Sequence, residues 1–218
     1  AVGLLHALHA LRGEMPSRLQ LAREAIRVER DLCRENVGSQ DQVTASFGGL
    51  NLIDFAASDA ISIQPITISS QRLKDFQKRL MLFFTGFSRV ASNIVTEQLE
   101  NMSRKKEELR AMQAMVDEGI KILVGPGTLK PFGKLLNESW QIKRSLSSQV
   151  SNSQIDALYA AAVKAGAVGG KLCGAGGGGF LLLFVEPERQ AKVRQALKKQ
   201  LFVPFEIDRT GSQIIFYQ

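Results

Sequence analysis

The sequence is poor in cysteine and has no long apolar run. Two cysteines occur among 218 residues, Cys33 and Cys173, and neither has the neighbours that a metal-binding motif requires. Isolated thiols argue against a disulfide framework and suit a reducing compartment, so we expect a cytoplasmic protein. No run of 18 apolar residues is present, which argues against a membrane-spanning helix. The apolar stretch at residues 1–11 lacks a basic start and a cleavage site, so it does not predict a signal peptide.

Acidic residues are outnumbered by basic ones, and the net charge is +7. Such a charge is compatible with a nucleic-acid partner. The lysines and arginines are scattered, however, and no basic run is interleaved with aromatic residues. We therefore favour solvated helix faces and a preference for phosphorylated ligands, and expect neither nucleic acid nor membrane as a partner. A basic nucleic-acid binder remains an alternative.

Glycine is concentrated in one stretch, from Gly169 to Phe180, which precedes the apolar run Leu181–Val185. Five of the six residues from Gly174 to Gly179 are glycine, so the backbone there can adopt positive φ angles and approach another chain segment closely. Successive N–H groups in such a loop can form a concave anion site. The loop leads into a predicted strand, which argues against a dinucleotide-binding fingerprint and a P-loop. A structural hairpin turn is the alternative.

The first part of the chain predicts two helices. Residues 1–12 are apolar nearly all round, which indicates a buried helix. His6 and His9 are three residues apart without further ligands nearby, so we expect packed or edge histidines and not a zinc site. Ser17 is the expected N-cap of a second helix over residues 18–34.

Glu29 is an unusual position in that second helix. At 100° per residue it lies in the middle of a broad apolar arc, opposite an arc of polar and charged side chains. An unpaired carboxylate on a buried face is costly, so Glu29 needs a cation, a hydrogen-bond donor or a proton. A structural ion pair and a bound divalent metal are the two interpretations that this leaves open.

The rest of the pattern predicts an α+β fold with an antiparallel sheet covered on one side. A polar turn at 36–42 precedes two strands, and a connector at 70–79 suggests two domains, residues 1–72 and 73–218. Strands are predicted at 47–55, 61–69, 81–84, 202–207 and 213–217, and a turn at 85–88 is followed by a helix from Arg89 with Ser88 as its cap. Two further helices carry the apolar stripes Leu109, Met112, Val116, Ile120 and Leu129, Phe132, Leu136, Trp140. Another helix ends at Gly166, and the last is predicted at 187–199.

Several motifs together resemble the GHMP kinases, which include galactokinase, homoserine kinase, mevalonate kinase and phosphomevalonate kinase. Among them the pattern is most similar to the heptose 7-phosphate kinases. The matching stretches are Glu29-Arg30, Asn36 to Gln42, Phe47 to Asn51, Leu82 to Ser92, Trp140 to Arg144 and Gly174 to Phe180. The resemblance covers essentially the whole chain. It implies part of an S5-like domain followed by a ferredoxin-like C-terminal domain.

The resemblance also implies an ATP- and Mg²⁺-dependent kinase that phosphorylates the anomeric hydroxyl of a heptose 7-phosphate. Asp41 matches the catalytic aspartate, whose carboxylate can accept or orient the proton of an attacking hydroxyl. Glu29 matches the Mg²⁺ ligand, and one carboxylate suffices because Mg²⁺ also binds phosphate oxygens. A plain turn residue is the alternative for Asp41.

Substrate and nucleotide contacts follow from the same resemblance. Gly38, Gln40 and Arg89 are expected to bind the phosphorylated sugar, Arg89 from a helix start that could hold a phosphate. A surface arginine is the alternative for Arg89. The glycine motif is expected to support the bound ATP behind the phosphate loop, through residues Gly174, Ala175, Gly176, Gly177 and Gly178. The resemblance leaves a homodimer open.

One family feature is missing. The phosphate loop, a Pro-x-x-x-Gly-Leu-Gly-Ser-Ser type run that precedes a helix like residues 1–12 in these kinases, does not occur in the sequence. We therefore expect the C-terminal portion of a kinase that is inactive alone. Another sugar kinase of the family, of galactose or fucose type, and a non-catalytic phosphosugar-binding fragment are the alternatives.

Overall fold

A computed structural model describes residues 1–87, 101 and 104–217. The chain divides into two compact units, one formed by Ala1–Ile66 with Glu206–Gln218 and the other by Thr67–Phe205. The predicted boundary after residue 72 therefore lies inside the second unit, and the last segment of the chain returns to the first. No helix within the described residues is long and apolar enough to cross a membrane.

The first unit combines three helices with a two-stranded antiparallel sheet. Its elements are α1 (Val2–Leu11), α2 (Arg18–Arg27), α3 (Gln40–Phe47), β1 (Asn51–Phe55) and β2 (Ile61–Pro65). Ser17 caps α2 as predicted, and it forms a reciprocal capping box with Gln20. The predicted helix over 18–34 is not uniform, because α2 gives way to a π-helical turn over Val28–Leu32.

The predicted burial of α1 is wrong. Val2 is buried and Leu5 packs beside it against Leu21 of α2, but Leu4 and Leu11 are 67% and 79% exposed. The physical reason is that α1 meets its neighbours in the first unit through one stripe, so a helix that is apolar all round buries only that side.

Two further predictions for this unit are corrected. The polar turn at 36–42 ends at Ser39, since α3 begins at Gln40 and continues to Phe47. The predicted strand at 213–217 does not form, and Ile215, Phe216 and Tyr217 are exposed without strand pairing. The preceding residues instead pack on α3 as irregular chain, with Ser212 N donating to the Ala45 carbonyl at 2.8 Å.

The packing of the last segment against the end of α3 requires a glycine at position 48. A Cβ on Gly48, at φ +65°, would lie 2.3 Å from the main-chain nitrogen of Gly211. This close backbone approach at Gly48 joins the end of α3 to the last segment of the chain.

The second unit contains a four-stranded antiparallel sheet. Its elements are α4 (Ser70–Gln77), β3 (Leu80–Phe84), α5 (Lys106–Val124), α6 (Lys130–Leu146), α7 (Ser153–Ala165), β4 (Gly169–Leu172), β5 (Phe180–Phe184), a 3₁₀ turn (Pro187–Arg189), α8 (Gln190–Ala196) and β6 (Leu201–Val203). The strand order is β4-β5-β3-β6, with every neighbouring pair antiparallel. Strand, helices, two strands, helix and strand in this order form the ferredoxin-like arrangement that the family resemblance implies.

The core of this unit lies between the sheet and helices α6, α7 and α8. Phe83 of β3 pairs with Leu181 of β5, and both side chains are buried. Trp140 of α6 and Tyr159 of α7 pack against each other, with ring centroids 6.2 Å apart. The apolar sides of these helices pack on the antiparallel sheet, which confirms the α+β prediction.

Candidate functional site

Glu29 lies in the π-helical turn that follows α2. The turn is marked by the Cys33 N–H, which donates to the Val28 carbonyl five residues back at 2.9 Å. The Glu29 carboxylate is 31% exposed and accepts a hydrogen bond from Gln42 Nε2. Its other oxygen lies 3.8 Å from the main-chain nitrogen of Ala1, at the start of α1. Glu29 is therefore half-buried, and no lysine or arginine within the described residues pairs with it.

Gln42 adds a second oxygen to this position. Its side chain is 4% exposed, and its Oε1 has no hydrogen-bond partner in the part of the chain that the structure describes. A buried carbonyl oxygen without a donor is costly, which points to a missing partner. A carboxylate and an amide oxygen are the hard ligands that Mg²⁺ prefers, so these residues fit such an ion.

A metal at this position would depend on ligands from outside the protein. Among the described residues, no group of three or more His, Cys, Asp and Glu side chains could hold a metal ion. Mg²⁺ often takes one or two protein carboxylates and fills its remaining positions with phosphate oxygens and water. Glu29 and Gln42 therefore suit an ion that arrives with a phosphorylated ligand and not a resident structural metal.

Asp41 is the second residue of α3 and sits next to Gln42. Its side chain is exposed and makes no ion pair within residues 1–87, 101 and 104–217. The N-terminal turn of a helix favours a negative charge, because unsatisfied N–H groups point toward it. Thr44 Oγ1 donates to the Gln40 carbonyl at 3.0 Å and helps to order this turn. Asp41 thus presents an unpaired carboxylate from a rigid helix start.

A cavity of about 950 Å³ lies beside the start of α3 in the first unit. Two of the predicted substrate-binding residues, Gly38 and Gln40, line it, and Asp41 follows them directly in the chain. The other walls are side chains of α2 and its π-helical turn, and the turn of the β1–β2 hairpin. Arg89, the third predicted substrate contact, lies outside the described residues.

The glycine stretch forms the hairpin connection between β4 and β5 in the second unit. Gly174, Gly176, Gly177 and Gly179 all have positive φ angles. A Cβ on Gly176 would lie 2.8 Å from the Val150 main chain, so the loop has no room for a side chain there. The glycines therefore serve backbone geometry and close packing.

The N–H groups of this loop point in part into the protein. Gly177 N donates to the Val150 carbonyl at 2.9 Å, and Gly179 N donates to the Phe87 carbonyl at 2.8 Å. The Gly179 carbonyl in turn accepts from Thr85 N at 2.8 Å. The predicted anion concavity therefore cannot use the N–H groups of Gly177 and Gly179, and the hairpin alternative describes the backbone correctly. The nucleotide role of Gly174 to Gly178 stays a prediction.

The glycine pair at the start of β4 serves packing as well. A Cβ on Gly169 would lie 2.0 Å from the Gly133 carbonyl of α6, and one on Gly170 would lie 2.5 Å from the Leu182 carbonyl. Gly169 and Gly133 thus bring α6 close to the strand that leads into the loop, while Gly170 allows close contact with β5. Sequence reasoning missed Gly133, since an isolated glycine inside a helix carries no sign of its distant partner.

Other contributors were also missed. Lys143 Nζ donates to the Gly174 carbonyl, and this contact holds the outer end of the glycine loop. Arg23, Arg27 and Arg30 line the cavity beside α3. Their spacing in the sequence places them on one side of the helix, but nothing in the sequence shows that this side faces a cavity.

Comparisons with known proteins give related results. Residues 106–202 match the family described as GHMP kinases C terminal. The chain is 32% identical over 186 residues to the D-glycero-alpha-D-manno-heptose 7-phosphate kinase of Campylobacter jejuni, which covers 83% of this chain and 54% of that protein. It is 27% identical over 169 residues to the bifunctional fucokinase/GDP-fucose pyrophosphorylase of Arabidopsis thaliana, covering 74% of this chain and 16% of that protein.

Solved structures agree with the sequence comparisons. The structure of a putative sugar kinase from Campylobacter jejuni superposes with a TM-score of 0.67 at 28% identity, covering 96% of this chain and 61% of that chain. The chain spans about half of the length of the Campylobacter jejuni heptose kinase and less of the Arabidopsis thaliana enzyme.

Proposed function

We propose that the chain is part of an ATP-dependent sugar kinase, because its residues 106–202 match the family described as GHMP kinases C terminal. Its acceptor is the anomeric hydroxyl of a heptose 7-phosphate, and its products are ADP and a heptose 1,7-bisphosphate. The observation that carries the chemistry is the unpaired carboxylate of Asp41 at the helix start beside the cavity of about 950 Å³. The similarity to the Campylobacter jejuni heptose kinase supports the choice of sugar.

Asp41 acts on the acceptor hydroxyl. Its carboxylate accepts the proton of that hydroxyl, or orients the hydroxyl oxygen toward the γ-phosphate, as the oxygen attacks. Gly38 and Gln40 line the cavity immediately before Asp41 and position the sugar there. The exposed and unpaired state of Asp41 leaves its oxygens available for this contact.

Glu29 and Gln42 hold the divalent ion. Mg²⁺, when bound, neutralises phosphate charge as the γ-phosphoryl group is transferred. The Glu29 carboxylate would supply one ligand, and Gln42 fixes that carboxylate by donating its Nε2 hydrogen bond. The partnerless Oε1 of Gln42 would supply a further oxygen to that ion.

The glycine loop supports the nucleotide from the second unit. Val150, Phe87 and Lys143 hold its backbone by hydrogen bonds, so the loop offers a fixed surface and not a mobile one. Gly174 is exposed, and a Cβ there would meet no atom within 4 Å. Gly174 offers this open side to the bound ATP, and Ala175 to Gly178, of which the three glycines are buried, support the loop behind it.

The test is ADP release by the full-length gene product with ATP, Mg²⁺ and a set of acceptors. Heptose 7-phosphate should be the best acceptor, and ³¹P NMR should place the new phosphate on the anomeric oxygen. In the same assay the chain of 218 residues should show no turnover, since this chain lacks the family's phosphate loop. Turnover by that chain alone would contradict this part of the proposal, and absence of turnover by the full-length protein with every sugar would contradict the kinase assignment.

A fucose-type acceptor is the second candidate, because the Arabidopsis thaliana fucokinase is also similar to this chain. L-Fucose and galactose therefore belong in the same assay. A kcat/KM for either sugar above that for heptose 7-phosphate would replace the proposed substrate while retaining the kinase.

A further inference from the structure

Three arginines line the cavity beside the start of α3. Arg23 and Arg27 lie on α2, Arg30 lies in its π-helical turn, and the spacing of four and three residues places all three on one side. Arg30 lies seven positions after Arg23, which corresponds to about 10 Å along the helix axis. The arginine row therefore spans the length of a small sugar, with Arg30 at the end beside Ser39.

The ends of this row are not equivalent. Arg30 Nη1 donates to Ser39 Oγ at 3.3 Å, so it is tied to the residue that precedes α3. Arg23 and Arg27 make no ion pair or hydrogen bond to a side chain or carbonyl within the described residues. Some other guanidinium groups are used internally: Arg79 pairs with Glu186 at 2.9 Å, and Arg72 donates to three carbonyls. Arg23 and Arg27 are thus available to a ligand.

The cavity also carries acceptors. Asp31 and Asp59 line it together with Ser39 and Ser58, and neither aspartate pairs with an arginine among the described residues. Three guanidinium groups against two carboxylates leave an excess of one positive charge. Guanidinium groups bind phosphate through two parallel hydrogen bonds, whereas carboxylates accept hydrogen bonds from sugar hydroxyls. This mixture of groups fits a molecule that carries both.

We propose that Arg23 and Arg27 bind the phosphate monoester of the acceptor sugar, at the end of the cavity away from Asp41. This inference rests on the proposed kinase function and names the part of the site that selects a phosphorylated acceptor. The sugar hydroxyls face Asp31 and Asp59, and the hydroxyl to be phosphorylated faces Asp41. The nucleotide makes no contact with this pair of arginines.

The experiment compares the full-length enzyme with its Arg23→Gln/Arg27→Gln variant. Arg110→Gln is the matched control, since Arg110 is an exposed arginine on α5 that does not line the cavity. Melting temperatures verify that all three proteins fold. The measured quantities are kcat/KM for heptose 7-phosphate, kcat/KM for the same heptose without phosphate, KM for ATP, and the calorimetric Kd of both sugars and of inorganic phosphate.

Each charged hydrogen bond to the phosphate contributes on the order of 10-fold in affinity. The preference for the phosphorylated over the unphosphorylated heptose should therefore fall by roughly 100-fold in the double variant, with KM for ATP and the control unchanged. An unchanged preference in a protein that is an active kinase would overturn the phosphate site but leave the kinase intact. If the unmodified protein binds heptose 7-phosphate but turns over no sugar, and the double variant loses this binding, the phosphate site is supported and the kinase assignment is rejected. If inorganic phosphate binds as tightly as the sugar phosphate, the sugar contributes nothing to binding, and the proposal that the cavity recognises the whole acceptor is overturned.

Discussion

Asp41 and Glu29 are carboxylates with different surroundings. Asp41 is exposed at the start of α3, while Glu29 is half-buried and held by the Gln42 amide. An exposed, unpaired carboxylate can meet a substrate hydroxyl, whereas a carboxylate that is fixed beside a partnerless oxygen is suited to a cation. Substitutions at the two positions should therefore affect different kinetic quantities.

Replacing Asp41 by asparagine tests its proton-accepting role in the full-length enzyme. Asparagine retains the shape of the side chain but removes the base, so kcat should fall by roughly 10²- to 10⁴-fold. KM for ATP should change little, because the side chain contacts the acceptor. Steady-state kinetics with both substrates provide the measurement, and near-full turnover by Asp41→Asn would reject Asp41 as the catalytic residue.

Replacing Glu29 by glutamine tests the metal site. The amide oxygen can still accept the hydrogen bond from Gln42, so the free energy of unfolding should change by no more than about 1 kcal/mol. Loss of the anionic ligand should raise the Mg²⁺ concentration needed for half-maximal activity.

Glu29→Leu is the matched control for that prediction. It leaves the buried Gln42 amide without its acceptor and should cost about 1–3 kcal/mol of stability. Urea unfolding and a Mg²⁺ titration of both variants separate the two roles. An unchanged Mg²⁺ requirement in Glu29→Gln, together with a large loss of stability, would make Glu29 a structural residue.

At the level of elements, local signals were predicted well and tertiary ones were not. The N-cap Ser17 was predicted from local sequence alone, and its capping box with Gln20 lies within four residues. Helix α3 was missed because its buried side chains include Gln42 and Ser46, so it has no apolar periodicity. The inward N–H groups of the glycine loop were also missed, since their acceptors lie far away in the chain.

Gly176 and Gly174 offer a matched pair within the glycine loop. Alanine at Gly176 must adopt φ +124° with its Cβ 2.8 Å from the Val150 main chain, which should cost about 2–4 kcal/mol of stability. Alanine at Gly174 meets no atom within 4 Å at φ +73°, so it should cost only about 1–2 kcal/mol. Urea unfolding of both variants provides the comparison, and equal losses would contradict the packing role of Gly176.

His9 gives the contact between α1 and α2 a pH dependence. Its Nδ1 lies 2.6 Å from Glu14 and its Nε2 2.6 Å from Glu24, so the imidazolium donates to two carboxylates. These two partners, Glu24 more than Glu14, raise the pKa of His9 above its ordinary value of 6.5. The stabilisation is therefore fully present below about pH 6.5 and is lost as the pH rises through the higher folded-state pKa.

A His9→Gln variant should lose this part of the pH dependence. The difference in melting temperature between the wild type and the variant should be largest near pH 6 and should narrow at higher pH. The Glu24→Gln variant should also lose part of this pH dependence, because it removes the carboxylate that raises the pKa of His9 most. A difference that stays constant with pH would show that His9 contributes packing alone.

At the scale of the whole molecule, the fold class followed from the order of apolar runs. The α+β fold and the resemblance to the GHMP kinases are both confirmed, the first by the sheet of the second unit and the second by the comparisons. The extent of the first unit could not be predicted, because residues 206–217 join it through contacts such as Gly48 with Gly211. Such contacts join positions that are more than 150 residues apart in the sequence.

The net charge of +7 leads to the last prediction, which concerns nucleic acids. Part of the basic charge is used within the second unit, where Arg144 pairs with Asp156 at 2.8 Å and Lys105 with Glu108 at 2.8 Å. A nucleic-acid surface would need unpaired bases that follow a phosphate backbone, with release of several counterions on binding. The arginine row beside α3 instead lines a cavity together with Asp31 and Asp59, whose charges repel a continuous phosphate backbone.

We therefore expect the chain to bind a labelled DNA duplex or single-stranded RNA only weakly, with Kd on the order of 10⁻⁴ M near physiological salt, as for non-specific binding. Fluorescence anisotropy between about 50 and 200 mM salt gives both the affinity and its salt slope. Arg23→Gln/Arg27→Gln should leave this weak binding nearly unchanged while it lowers the affinity for heptose 7-phosphate. Submicromolar binding with a steep salt slope would instead identify the basic excess as a nucleic-acid surface, because such a slope means that the protein displaces many counterions from the nucleic acid.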